Sequence, residues 1–157
     1  MSIVVRAAGV ADAALVASAA KALTDEIIAR TGAPHFDVDL AGIEADCRLF
    51  LETGRYAVYM AENGSAPCIG FVSLCESQAL YAGDCFGIIQ EFYVAPDSRS
   101  SGVGRRLLEA ASAHGLRQGW KRLEMCTPPL PEFDRTLAFY QTNGFEVTGG
   151  RKMKRLL

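Results

Sequence analysis

The apolar and polar positions divide the chain into short runs of strand type and longer runs of helix type. "IVVRA" (residues 3–7) is rich in β-branched residues and predicts a first strand. "VADAALVASAAKAL" (10–23) predicts an Ala-rich amphipathic helix with Asp12 near its start. Residues 24–38 lose that period and hold Gly32 and Pro34, so a break or loop is expected there. A second helix is predicted through 40–53, ending at Gly54. "YAVYMAE" and "CIGFVSLCE" then read as two strands parted by "NGSAP", a strong hairpin signal. The strand "FGIIQEFYVA" (86–95) leads to a helix from about Gly102 to Gln118, with Val103, Leu107, Leu108, Ala111 and Leu116 approximating one apolar face. "RLEMCTP" predicts another strand before the prolines of "PPLP", and "EFDRTLAFYQT" (132–142) a short helix closed by Asn143 and Gly144. "FEVT" and "RKMKR" flank Gly149 and Gly150 as a final hairpin. The order β-α-α-β-β-β-α-β-α-β-β is that of an α/β fold with a mixed sheet, and 157 residues fit one domain, 1–157.

The junction at "EFYVAPDSRSSGVGRRLLEAA" (91–111) asks for a chemical explanation. A strand stops at Pro96, a run of small residues holds Arg99, Gly102 and Gly104, and a helix begins. Backbone N–H groups at a helix start have no acceptor within the helix, and the helix dipole adds partial positive charge. Glycines let a phosphate approach the backbone closely and allow the angles that turn successive amides toward one anion. Arg99 stands where it can add a charge-assisted contact. A Walker A loop is excluded because no Lys-Ser or Lys-Thr follows either glycine. A dinucleotide fingerprint is disfavoured because Leu107 occupies its third glycine position and three further strands precede the one that enters the loop.

"VAPDSRSSGVGRRLL" resembles the acetyl-CoA motif of the GCN5-related N-acetyltransferase (GNAT) superfamily, V-x-P-x-x-R-x-x-G-[VI]-G-x-x-L. The matching positions are Val94, Pro96, Arg99, Gly102, Val103, Gly104 and Leu107. "AFYQTNGF" (138–145) is similar to the family's later motif, and "VVRAAGVADAALV" to its first strand and helix. The resemblance implies a GNAT-like fold and acetyl-CoA as co-substrate. It also implies that the backbone of Arg99, Ser100, Ser101, Gly102, Val103 and Gly104, with Arg105 beside it, cradles a pyrophosphate. Phe92, Tyr93 and Val94 would lend strand backbone to the pantetheine arm, with the oxyanion donor near them at a bulge, and Phe139 and Tyr140 would line the thioester end. Phe133 and Thr136 depart from the Asn and Ala that the family often carries ahead of the tyrosine.

Acetyl transfer to an amine needs a proton acceptor for the amine, a donor for the oxyanion and a proton for the leaving thiolate. Glu91, on the strand entering the loop, is the candidate base; an ordinary strand-edge charge is the alternative. Tyr140, protonated at neutral pH, is the candidate acid, with core packing as the alternative. The acceptor region expected between the first two helices carries Asp25, Glu26, His35, Asp37 and Asp39.

Charge and composition narrow the partners. The net charge of −2 argues against a nucleic-acid surface, and no stretch approaches the ~18 apolar residues of a membrane span. Five cysteines with no C-x-x-C pair, and only His35 and His114, suggest a reducing cytoplasm and no metal site. The expected partners are therefore acetyl-CoA and an amine acceptor, without nucleic acid or membrane; a homodimer stays open. Three other readings also stay open: a non-catalytic CoA-binding regulatory module, an enzyme using another acyl-CoA, and one with an oxygen acceptor. A nucleotide-dependent oxidoreductase ranks behind them.

Overall fold

The computed structural model describes residues 2–32 and 39–157. One compact unit runs to Met125 and a second from Cys126 to Leu157. The first holds β1 (Val4–Ala7), α1 (Ala13–Thr31), α2 (Leu40–Glu52), β2 (Ala57–Asn63), β3 (Ala66–Ala79), β4 (Asp84–Val94), α3 (Val103–Gln118) and β5 (Leu123–Met125). Its sheet has the order β1-β2-β3-β4-β5; the first four strands are antiparallel and β5 joins β4 in parallel. This is the mixed α/β sheet that the hydrophobic pattern predicts. The β2–β3 turn closes on Asn63, whose side-chain oxygen accepts from the Ser65 and Ala66 amides at 3.0 and 2.9 Å.

Two layers of helix cover the sheet. Val58, Met60 and Phe71 pack with Ala13, Val16 and Ala19 of α1 and Cys47 of α2. Neighbouring strand residues point to opposite faces, so Gly70 turns toward α3. A Cβ on Gly70 would lie 3.2 Å from Leu107 and 2.7 Å from the Tyr93 carbonyl, so α3 seats closely only against glycine. The expected apolar face of α3 is buried at Val103, Leu107, Leu108 and Ala111, but Leu116 is exposed. Gly115, four residues after Ala111, holds that face instead, where the Trp120 ring lies.

Three expectations need correction. The break placed at 24–32 is helix: α1 runs to Thr31 and stops at Gly32, whose φ is 67°. Thr24 and Thr31 satisfy their hydroxyls on the Ala20 and Ile27 carbonyls (3.0 and 2.7 Å). Lys21–Asp25 and Glu26–Arg30 add i,i+4 pairs, so polar residues here support the helix instead of ending it. The strand expected over 122–128 shortens to Leu123–Met125, ahead of prolines that cannot donate to a ladder. The final hairpin does not form. The second unit contains α4 (Asp134–Thr142), and residues 145–157 carry no strand, with Val147, Met153, Leu156 and Leu157 exposed. Two short, charged runs joined by Gly149 and Gly150 are marginal as an isolated pair.

Candidate active site

The pairing of β4 is interrupted next to the candidate base. Ser73 pairs with Glu91 and Leu74 with Ile89, so Gln90 is an extra residue, a β-bulge. The bulge thus lies just before Glu91 and not at 92–94. The parallel register with β5 covers only Gly87 to Ile89. Beyond it β4 continues along β3 as far as Val94, and the Ala95 amide donates to the Ile69 carbonyl at 2.9 Å. Antiparallel alternation therefore turns the backbone of Phe92 and Val94 to the other edge, past the end of the β5 pairing.

The bulge sets Glu91 beside a hydroxyl. Ser73, 1% exposed, is the buried polar side chain of the core among the described residues. Its Oγ accepts from the Glu91 amide at 2.9 Å and donates to Glu91 Oε2 in a very short contact. The Tyr56 phenol lies near the same carboxylate and favours its charged form. Burial pushes the Glu91 carboxyl above its ordinary pKa, and the two hydroxyls offset part of that shift. Burial likewise raises the Tyr56 phenol, with the Glu91 charge adding to it. A carboxylate held by neutral donors, with no cation paired to it, is a stronger base than one in water. Tyr56 also lines a cavity of about 440 Å³ with Phe50, Gly54, Arg55, Cys75 and Glu76.

The loop after β4 has the geometry of an anion cradle. Ser100 and Gly102 adopt positive φ, 61° and 87°. The first helical bond of α3 runs from the Arg106 amide to the Gly102 carbonyl, so the amides of Val103, Gly104 and Arg105 precede the helical ladder. No side chain caps this end, and Ser101 Oγ instead donates to the Ser98 carbonyl at 2.6 Å. An oxyanion-rich pyrophosphate fits this donor set.

Arg99 differs from expectation. Its amide donates to the Pro96 carbonyl, its Nη1 and Nη2 each lie 2.8 Å from the Glu26 carboxylate, and its Nε donates to the Val94 carbonyl at 2.9 Å. Both its backbone donor and its fork are therefore engaged within the protein. Arg105 pairs with Glu109 on the α3 surface.

The expected acidic acceptor region is also otherwise employed. Asp25 pairs with Lys21, Glu26 with Arg99 and Arg30, and Asp39 caps α2 by accepting from the Ala41 and Gly42 amides. His35 and Asp37 lie outside the described residues. His114 sits by Tyr59 and Trp120, on the α3 side. All five cysteines are free thiols, and burial raises the pKa of Cys47 and Cys68. Among the described residues no group of three or more His, Cys, Asp and Glu is arranged to hold a metal.

In the second unit Tyr140 is buried, 5.4 Å from the Phe139 ring and 5.7 Å from the Phe145 ring. Desolvation raises its phenol pKa, so it holds its proton throughout the neutral range.

A protein-family profile described as Acetyltransferase (GNAT) domain matches residues 54–147, more than half the chain. The chain is also 31% identical over 112 residues to the uncharacterized N-acetyltransferase YhfO of Bacillus subtilis (strain 168), spanning 71% of this chain and 73% of that protein. This chain belongs to the GNAT acetyltransferase family. It is an acyltransferase, as the resemblance in its glycine loop implies. Among solved GNAT folds, the aminoglycoside N-acetyltransferase AAC(6')-Iy in complex with CoA is similar with a TM-score of 0.81 at 19% identity, over 99% of this chain and 95% of that one. The ribosomal-protein-alanine N-acetyltransferase of Brucella melitensis biovar Abortus 2308 gives a TM-score of 0.73 at 17% identity, over 99% and 100% of the two chains. These last two likenesses concern the fold.

Ser73 and Tyr56 escape a reading of this GNAT sequence, and Glu26 is read there as part of the acceptor region and not as the partner of Arg99. Ser73 leaves one trace, a lone hydroxyl inside the apolar run "FVSLC". Its meaning depends on a register that local pattern does not contain. Tyr56 leaves none, and nothing local points Glu26 to Arg99, since each acts on a residue far along the chain.

Proposed function

We propose that this acyltransferase moves an acetyl group from acetyl-CoA directly to a primary amine of a small molecule or peptide, with residues 1–157 acting as one catalytic domain. The observation that carries the reading is Glu91. It is a desolvated carboxylate with a raised pKa, fixed by Ser73 at a bulge and close to Tyr56, which lines an open cavity. A carboxylate of that kind, its proton affinity raised by burial, accepts a proton from an ammonium or an attacking amine, directly or through water.

The chain's other groups have complementary roles. Acetyl-CoA, when bound, supplies the activated acetyl group. The amides from Gly102 to Arg105 at the α3 start hold its pyrophosphate. Backbone groups of Phe92 and Val94 orient the arm that carries the thioester, and an N–H of this pair stabilises the oxyanion; the Tyr93 backbone, expected to share this role, faces β3 instead. Tyr140 retains the proton that a departing thiolate needs, with Phe139 lining that end; both roles rest on the motif and on the phenol's chemistry. The cavity lined by Phe50 and Tyr56 receives the acceptor. Its rim carries Arg55 as well as Glu76, so it is less uniformly acidic than a site for polycationic amines would be. Free thiols throughout suit a reducing cytoplasm.

Release of CoA thiol from acetyl-CoA, measured across a panel of amines, alcohols and a no-acceptor control, tests the proposal. Amine-dependent release with an N-acetyl product by mass spectrometry is expected. CoA binding without turnover on any acceptor would instead make the protein a CoA-responsive module. An O-acetyl product would move the reaction to an oxygen acceptor.

A further inference from the structure

Arg99 lies inside the glycine-loop motif, but its side chain faces away from the task the motif suggests. The guanidinium forms a two-toothed pair with Glu26 of α1, both contacts at 2.8 Å, and its third donor reaches the Val94 carbonyl at the end of β4. One rigid planar group therefore ties three segments together: the second half of α1, the last residue of β4 and the loop that enters α3. Glu26 is shared with Arg30 at 2.9 Å, and Arg99 holds its carboxyl below the ordinary range, so the carboxylate stays charged. The residue after Arg99 is Ser100, which has the positive φ that side chains other than glycine rarely adopt. Such a residue persists only where its neighbours are held. Arg99 is held by Glu26 and Val94, and Gly102 opens the helix on the other side.

We propose that Arg99 is a positioning residue, not a phosphate ligand: through Glu26 and Val94 it fixes the loop so that the α3 amides converge on one anion. The proposal rests on the acetyl-CoA reading of that loop. It gives α1 a part in co-substrate affinity.

The two roles predict opposite outcomes for Glu26→Gln. If Arg99 positions the loop, Glu26→Gln and Arg99→Ala break the same pair, and each should weaken CoA binding about three- to tenfold by calorimetry. The double variant should be little worse than either single one, since both act on one contact. In steady-state assays the loss should fall on KM for acetyl-CoA more than on kcat. Arg99→Lys, which keeps the charge but loses the fork, should be intermediate. Amide hydrogen exchange over residues 96–105 of the ligand-free protein should quicken in both single variants.

If Arg99 instead binds phosphate, Glu26→Gln frees its guanidinium and CoA binding holds or tightens while Arg99→Ala weakens it. That result overturns the proposal, as does unchanged exchange over 96–105 in both variants. Wild-type protein that binds no CoA, with faster exchange in both variants, would retain the latch and remove the acetyl-CoA reading. Should Glu26→Gln fail to fold, Arg99→Lys with the same exchange measurement decides the matter.

Discussion

Glu91 and Glu26 flank the loop segment's two approaches and have been put to opposite uses. Glu91, at the bulge of β4, is desolvated, bonded to the Ser73 hydroxyl and near the Tyr56 phenol; its pKa is raised. Glu26, on α1, lies between the guanidinium groups of Arg99 and Arg30, and its pKa is lowered. Neutral donors and burial leave a carboxylate ready to take a proton. Paired cations leave one that almost never will. The same side chain is a candidate base in one region and a fastening in the other, and the neighbours decide which.

The largest effect should come from removing the proposed base. Glu91→Gln keeps the shape but cannot accept the amine's proton, so kcat/KM should fall ~10²–10⁴-fold with CoA affinity little changed. Steady-state rates and calorimetry on the same preparation check this. A loss within a few-fold would return Glu91 to the status of a buried strand-edge charge and erase the contrast with Glu26.

Next in size is Tyr140→Phe. Burial raises both Tyr140 and Glu91, with opposite consequences: the carboxylate becomes a better base and the phenol a firmer holder of its proton. A fall in kcat of at least about tenfold is expected, with little change in thermal midpoint. Equal losses of stability and activity would make the hydroxyl a structural hydrogen bond.

The smallest effect is on stability, and its sign with pH separates the two glutamates. Glu91's folded pKa is raised, so its contribution is fully present below the unfolded value of ~4.3 and is lost as pH rises through the folded pKa. Glu26's folded pKa is lowered, so its contribution is present above ~4.3 and is lost as pH falls through the folded value. Denaturation of Glu26→Gln against wild type should show a deficit of about 0.2–1 kcal/mol near neutral pH that closes in acid, since the pair is partly solvated. Glu91→Gln should gain on wild type as pH rises. The same slope for both variants would contradict the assignment of their environments.

Much of this was open to a reading of the chain, and the limits are physical. The strand–loop–helix junction at 91–111 is legible because its signals are local: helix start, glycines and small residues are contiguous. The candidate base is legible for the same reason, on the strand that enters the loop. Its activation is not, because Ser73 meets Glu91 only through the β3–β4 register and its bulge. The role of Arg99 fails similarly: its partner Glu26 lies in a stretch whose weak apolar period suggests a loop, although threonine back-bonds and ion pairs keep it helical. The terminal runs "FEVT" and "RKMKR" show the reverse error, since alternation alone builds no strand without a third to pair with.

The pH dependence of kcat/KM, measured with one acceptor for wild type, Tyr56→Phe and Glu91→Gln, tests most directly that the bulge makes Glu91 a base. The wild type should show an acid limb above the ordinary glutamate range. Tyr56→Phe removes a donor that favours the charged carboxylate, so its limb should move to higher pH. Glu91→Gln, slow throughout, should lose that limb. An identical limb in all three proteins would mean that another group carries the proton, and the central claim would fail.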